Sequence, residues 1–315
     1  MSNNASGTTL YLAPLQGFTD YIYRSAFNEL FGKPDAAFSP FLNSYKIDQR
    51  IYRDVLPERN VDYTLIPQLL GNDAAKMLHL TKGLIEMGYN EINLNFGCPY
   101  PMVTKHFMGA GLLPFPERID ALLNELFTHG NCKYSVKLRL GLTQNTDWKP
   151  LVSVFNRYPL TEVIIHPRTA AQMYKGETDI DSFKEFAEEL KKPVCYNGNI
   201  NTLEDFQQLS AQFPAITRWM IGRGILANPL LFKEIQENQK VSEKEIVEAL
   251  GKIHDRLLHL NTNRLNGDSH LLNKMKPYWE FFGTWLEGKE KGLKRIRKAS
   301  NIDNYKSACN DVLKH

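Results

Sequence analysis

Short apolar runs alternate with amphipathic stretches along most of the chain. The runs at residues 9–14, 36–41, 64–69, 91–94, 134–138, 162–166, 194–197 and 219–221 have the length and apolar density of buried strands. Between them, stretches such as 74–87, 116–127, 180–190 and 203–210 space their apolar residues for one face of a helix. Strands separated by helices predict parallel βαβ units. Eight such units predict a (β/α)8 TIM barrel, an α/β fold. A doubly wound open sheet is the competing topology, but it would favour a GxGxxG turn after the first strand, and the sequence has none there.

The texture changes after about residue 235. Residues 237–241 are polar and fit a linker. Ser242 followed by Glu245 has the spacing of a capping box, which predicts a helix start. Residues 245–260, 269–287 and 289–299 carry helical patterns without strand signals. The expected organisation is a catalytic barrel over residues 1–236 and a small all-helical domain over 242–315. The length of 315 residues suits a barrel of roughly 250 residues with an appendage.

Composition narrows the function classes. No run of about 18 apolar residues predicts a membrane span, and the N-terminal residues lack a secretory pattern. The four cysteines are far apart and form neither a CxxC pair nor a zinc-ligand spacing. Reduced thiols, a cytoplasmic location, no metal and a monomer are the expectations. Net charge is only +3, yet residues 242–315 hold 14 Lys+Arg against 10 Asp+Glu, leaving 24 against 25 elsewhere. The positive excess is densest in KEKGLKRIRK, residues 289–298, a weak pointer to a polyanionic partner.

In a TIM barrel the active site lies where the strands end at their C-terminal face. Those ends read APLQG, PQLLG with Gln68, NFGCP with Cys98, VKLRLG with Lys137, IHPRT with His166, YNGNI and IGRG. Lys137 inside an apolar strand needs an anionic or electron-rich partner, because a buried ammonium is costly. Gly198 and Asn199, with Gly222 and Arg223, sit in the loops after strands seven and eight, where such barrels often bind phosphate. Gln68 and Asn197 offer amides to the polar edge of a ring. A flat, polar ligand bearing a phosphate fits this set, as flavin mononucleotide (FMN) does.

The ordered motifs APLQG, PQLLG, NFGCP, GAGLL, VKLRLG, HPRT, NGNI and IGRG closely resemble those of the tRNA-dihydrouridine synthase family. HLLNKMKPYW, residues 270–279, resembles the helical-domain signature of the bacterial enzymes, nearest to the subfamily called C. The resemblance implies an FMN-binding barrel that reduces the 5,6 double bond of uridines in tRNA to dihydrouridine, with NADPH favoured over NADH as reductant. It assigns FMN to Pro14, Leu15, Gln16, Gln68, Lys137, His166, Asn197, Gly198, Asn199, Gly222 and Arg223, and the tRNA to Asn95 and Tyr174. The helical domain would grip tRNA phosphates through Lys274, Lys276, Lys294, Arg295, Arg297 and Lys298. This chain departs from the family in having Leu15 where methionine is usual, Pro40 where an acid is frequent, and YPMVTKHF after the cysteine.

Uridine reduction needs a hydride at C6 and a proton at C5. A thiol is mostly protonated near neutrality, which makes Cys98 the expected proton donor. Cys132, Cys195 and Cys309 lack such a setting and are expected to be structural, with Trp279 in a helix core. Two other functions share part of this pattern. One is an FMN barrel acting on a free pyrimidine, as dihydroorotate dehydrogenases do. The other is a non-catalytic tRNA-binding protein on a relict barrel.

Overall fold

A computed structural model describes residues 7–43 and 50–313. Its strands are β1 (Thr9–Leu12), β2 (Ala36–Phe38), β3 (Leu42–Asn43), β4 (Leu65–Ile66), β5 (Gln68–Leu70), β6 (Glu91–Phe96), β7 (Lys133–Gly141), β8 (Val163–Thr169), β9 (Val194–Tyr196) and β10 (Arg218–Ile221). All pair in parallel. β1 lies between β10 and β2, β2 pairs with β4, β3 with β5, and β5 leads through β6 to β10 in chain order. Since β2 continues into β3 and β4 into β5, the ten segments fill eight strand positions and the ring closes.

Two expected strands are thus each broken in two. Pro67 separates β4 from β5 because it has no N–H to give the ladder, although its carbonyl still accepts from the Asn93 N–H at 2.8 Å. On the neighbouring strand Ser39 and Pro40 fall in the break, and the Ser39 hydroxyl accepts the Gln68 backbone N–H at 3.0 Å. The register slips by one residue between Ala37↔Leu65 and Leu42↔Leu69, as in a bulge. The consequence is local: Gln68 starts a new strand segment at the barrel mouth.

Alternation along each strand divides the core. Tyr11, Phe38, Ile66, Ile164, Cys195 and Met220 form one buried cluster. Residues of opposite parity, such as Leu10, Leu12 and Ile165, join the larger cluster with the surrounding helices. Those helices start on local signals. Asp20 accepts the Tyr23 N–H ahead of the helix Tyr21–Phe31, and Thr202 with Asp205 forms a capping box ahead of Leu203–Gln212.

The expected capping box at Ser242 and Glu245 is present and opens the helix Glu243–Thr262. The expected single helix over 269–287 is instead Asp268–Met275 followed by short turns, because Pro277 cannot extend the ladder. A further helix, Ile302–Leu313, closes the layer. Trp279 is buried there and donates to the Tyr305 hydroxyl at 2.9 Å, a core residue as expected.

These helices share a core with the barrel. Tyr278 stacks on Tyr23 with centroids 6.0 Å apart and meets Phe18 edge-on at 5.4 Å. Its hydroxyl donates to the Phe18 carbonyl at 2.7 Å. Truncating Tyr278 therefore removes a fully buried ring from the junction. Tyr278→Ala is expected to cost about 3–5 kcal/mol in chemical denaturation, in one cooperative transition. A loss below about 1 kcal/mol, or separate melting of barrel and helices, would contradict a shared core.

Candidate functional site

The strand ends open into a cavity of about 400 Å3. Pro14, Leu15, Gln16, Gln68, Asn95, Cys98, Lys137, His166, Tyr174, Asn197, Gly198, Gly222 and Arg223 all line it, so the topology brings together most of the residues singled out in the sequence. Asn199 stands behind the wall and accepts from the Arg223 guanidinium at 3.1 Å. Lys274, Lys276 and Arg295 are absent from the lining.

Amides organise one side. Gln68 donates to Asn93 and accepts from Asn95, both at 2.7 Å, and Asn93 donates to the Ser135 hydroxyl at 2.9 Å. The Asn95 carbonyl oxygen accepts the N–H groups of Gly97 at 3.0 Å and Cys98 at 2.8 Å. The Asn95 side chain therefore shapes the turn that carries Cys98, and one amide chain links Gln68 to that turn.

Cations follow on the next strands, starting with Lys137, the register partner of Asn95. Lys137 has no hydrogen-bond partner among the described residues; burial and the nearby Arg139 push its ammonium down to about 7. The sequence reading passed over Arg139, although it lies two positions after Lys137 on one strand and so shares its face. Arg139 donates to the carbonyls of Gly97, Thr169 and Met173. Tyr174 lies between two guanidiniums, Arg139 at 5.3 Å and Arg223 at 4.7 Å from its ring centre. Behind them Arg168 is buried, with its Nε unpartnered and one Nη donating to the Gly176 carbonyl at 2.7 Å. The only carboxylate on the lining is Glu280, which reaches the rim with Phe281 from the helical layer.

His166 is fixed as a neutral ring. Burial, then Arg139 and Lys137, hold its pKa well below the ordinary value. Its Nδ1 lies 2.6 Å from the Asn197 carbonyl, which can only accept, so the proton sits on Nδ1 and Nε2 accepts from the Arg168 guanidinium at 3.4 Å. Asn197 in turn spends its amide N–H on the Met220 carbonyl at 2.7 Å, which narrows what it can offer a ligand to its oxygen and one remaining N–H. Glycines keep the late loops low: a Cβ on Gly224 would fall 2.1 Å from the Ile200 carbonyl oxygen.

Cys98 is only 6% exposed and packs with Leu70, Val103 and Met108. Its turn is held by the Asn95 side chain and by the GAGL turn, where Ala110 N–H donates to the Cys98 carbonyl at 3.1 Å. Burial pushes the thiol pKa up, partly offset by the Tyr100 N–H, Arg139 and Lys137. All four cysteines are free thiols, and Cys132, Cys195 and Cys309 stay out of the cavity lining. Among the described residues no His, Cys, Asp and Glu cluster could hold a metal ion, and no helix is long and apolar enough to cross a membrane.

Two of the expected phosphate-binding lysines serve the fold instead. Lys274 donates to the Gly17 carbonyl and the Asp20 carboxylate, both at 2.9 Å, and Lys276 donates to the Ala299 carbonyl. Composition marks a cation but not the direction in which tertiary packing points it. Arg295 is exposed and paired with Asp311, while Lys294, Arg297 and Lys298 are exposed on the helix Glu290–Lys298.

Comparisons with known proteins agree with this geometry. Residues 11–311 match the family model described as dihydrouridine synthase (Dus). The chain is 28% identical over 309 residues to the probable tRNA-dihydrouridine synthase 2 of Bacillus subtilis, covering 93% of this chain and 87% of that protein. It is 27% identical over 301 residues to the probable tRNA-dihydrouridine synthase of Staphylococcus aureus strain N315, covering 92% and 86%. Among solved structures, the old yellow enzyme homologue of Zymomonas mobilis superposes with a TM-score of 0.54 at 9% identity, over 76% of this chain and 91% of that one. Morphinone reductase in complex with tetrahydroNAD gives 0.51 at 9% identity, over 74% and 87%. At such identities the likeness is one of fold: a TIM barrel.

The raised thiol pKa has a direct readout. Alkylation of Cys98 by iodoacetamide, followed by peptide mass mapping across pH, is expected to reach half its limiting rate above the free-thiol value of about 8.5. A rate already saturated at pH 8 would mean a thiolate near neutrality and would contradict it.

Proposed function

Because the chain belongs to the dihydrouridine synthase family, we propose that it is an FMN-dependent enzyme that reduces uridines in tRNA, with NADPH as reductant. The observation that carries the reading is the cationic mouth: Lys137 without an ion-pair partner among the described residues, Arg168 with an orphaned buried Nε, and Arg223 beside glycine turns, with Glu280 at the rim as the one acid of the lining. Such a set fits a ligand that brings its own phosphate and an electron-rich ring.

In this reading Arg223, with Gly198, Asn199 and Gly222, takes the phosphate of FMN, and Arg168 adds charge behind it. Pro14, Leu15, Gln16 and Gln68 border the ring, and the spare amide N–H of Gln68 is left to a ring carbonyl. Neutral His166, held between the Asn197 carbonyl and Arg168, lines the cavity as an uncharged ring, and Lys137 balances negative charge on the ligand. The cofactor, when bound and reduced, supplies hydride to C6 of uracil. Asn95 presents its remaining N–H to the uracil edge while holding the Cys98 turn. The Cys98 thiol gives its proton to C5, becomes a thiolate beside Lys137 and Arg139, and is reprotonated from solvent. Tyr174, clamped by two arginines, is a rigid wall for the extruded base or its backbone. The exposed cations of residues 291–298 contact tRNA phosphates, with Lys274 tying the helical layer to the barrel and Lys276 bracing that layer internally.

Two variants test the assignments. Cys98→Ala is expected to bind flavin and to be reduced by NADPH at nearly the normal rate, while reoxidation by tRNA falls ~10²–10⁴-fold. Cys132→Ala and Cys195→Ala should leave both half-reactions intact. Stopped-flow flavin absorbance separates the steps, and undiminished reoxidation in Cys98→Ala would remove the thiol from the mechanism. Lys137→Met keeps the length of the side chain but not the charge. Its purified form is expected to carry less flavin per chain and to hold it with a more negative reduction potential, since the anionic reduced form loses its counter-charge. Flavin content and potential equal to those of the unaltered protein would contradict that role.

A further inference from the structure

Five large apolar side chains stand exposed among the described residues: Val61, Tyr100, Met102, Phe107 and Tyr174. Four of these belong to the rim of the cavity or to the segment that forms it. Tyr100 and Tyr174 line the cavity, and Met102 and Phe107 follow within seven residues of Tyr100 on the stretch between β6 and the helix Pro116–His129. Soluble surfaces scatter single apolar residues without consequence, but a cluster beside a binding site marks a contact surface.

The segment is built to hold these side chains out. The short helix Pro101–Thr104 buries Val103 and leaves Met102 78% exposed. Phe107 adopts a φ of 53°, a costly backbone setting for an aromatic residue. Its ring is propped by Phe115 edge-on at 5.4 Å, and the Arg118 guanidinium sits 4.7 Å from the ring centre. From the neighbouring strand end, Asn72 donates to the His106 carbonyl at 2.9 Å. The same segment anchors the catalytic turn, since Val103 and Met108 pack on Cys98. The exposed Lys and Arg here are Lys105 within the segment and Arg118 beside it, next to an exposed Glu117.

We infer that Tyr100, Met102 and Phe107 form a stacking platform for the unpaired bases that flank the reduced nucleotide. This rests on the proposed function above and extends it to a second part of the same substrate. The reasons are chemical. A base drawn into the cavity leaves its neighbours unstacked at the rim. Aromatic faces and a polarisable thioether accept any base face, and the adjoining cations suit the backbone phosphates. An apolar protein partner would not need the cations, and a phosphate contact alone would not need the exposed rings.

The test uses the full-length, flavin-loaded protein with Met102→Ser, Phe107→Ser and Phe107→Trp. Met102 is so exposed that its replacement cannot disturb the core. Binding of an unmodified tRNA transcript is measured at several salt concentrations, with flavin content and sedimentation recorded alongside. Phe107→Ser is expected to weaken binding about tenfold or more, Met102→Ser several-fold, and Phe107→Trp to keep it. The slope of affinity against salt should stay unchanged, because no phosphate contact is lost, whereas Lys294→Ala or Arg297→Ala should reduce it. Unaltered affinity in both serine variants overturns the platform, as does a loss that appears only as a changed salt slope. A shift in sedimentation that accompanies the loss assigns the surface to a second copy of the chain and also overturns it. Unaltered protein that neither binds nor modifies tRNA sinks the proposed function itself, which is a separate outcome.

Discussion

Positive charge held under low dielectric at one end of a barrel is the constraint on which the rest depends. Lys137, Arg139, Arg168 and Arg223 converge there, and none of them makes an ion pair among the described residues; Glu177 lies near enough to act on Arg168 and Glu280 stands at the rim. Each would be costly alone. The protein offsets part of that cost with backbone carbonyls, from Gly97, Thr169, Met173 and Gly176, and with the face of Tyr174. It leaves the Nε of Arg168 unsatisfied, while Lys137 faces the cavity. Burial, reinforced by the same charges, keeps His166 neutral, and those charges partly offset the burial-driven rise in the Cys98 pKa.

Two short connections tie this field to the parts that would handle RNA. The chain Gln68–Asn95–Cys98 joins the ring side of the cavity to the thiol through hydrogen bonds of 2.7 and 2.8 Å. The loop after β1 serves two surfaces at once. Pro14, Leu15 and Gln16 line the cavity, while Gly17, Phe18 and Asp20 receive Lys274 and Tyr278 from the helical layer. The helical layer is thereby registered to the cavity, and Glu280 and Phe281 complete its rim. A rigid junction of this kind suits an enzyme whose substrate must be gripped at one place and altered at another.

The barrel was legible because strand and helix periods alternate over most of the chain, and because each strand's last residues carried polar or glycine-rich signals. Arg139 was equally legible by its spacing from Lys137, and was missed because the buried lysine drew the argument. The division of two strands was not legible: Pro40 and Pro67 interrupt ladders only where a neighbouring strand shows which N–H is missing. The directions of Lys274 and Lys276 were hidden for a similar reason. A basic helix looks alike whether its cations face solvent or the carbonyls at Gly17 and Ala299.

The central claim is that this cationic mouth serves the reduction of uridine within tRNA. An unmodified tRNA transcript incubated with the purified protein, FMN and NADPH, then digested to nucleosides and weighed by mass spectrometry, tests it most directly. The account predicts a nucleoside two hydrogens heavier than uridine, formed only when both protein and NADPH are present. A transcript that stays unmodified, while free uracil or a related pyrimidine is reduced under the same conditions, would contradict it.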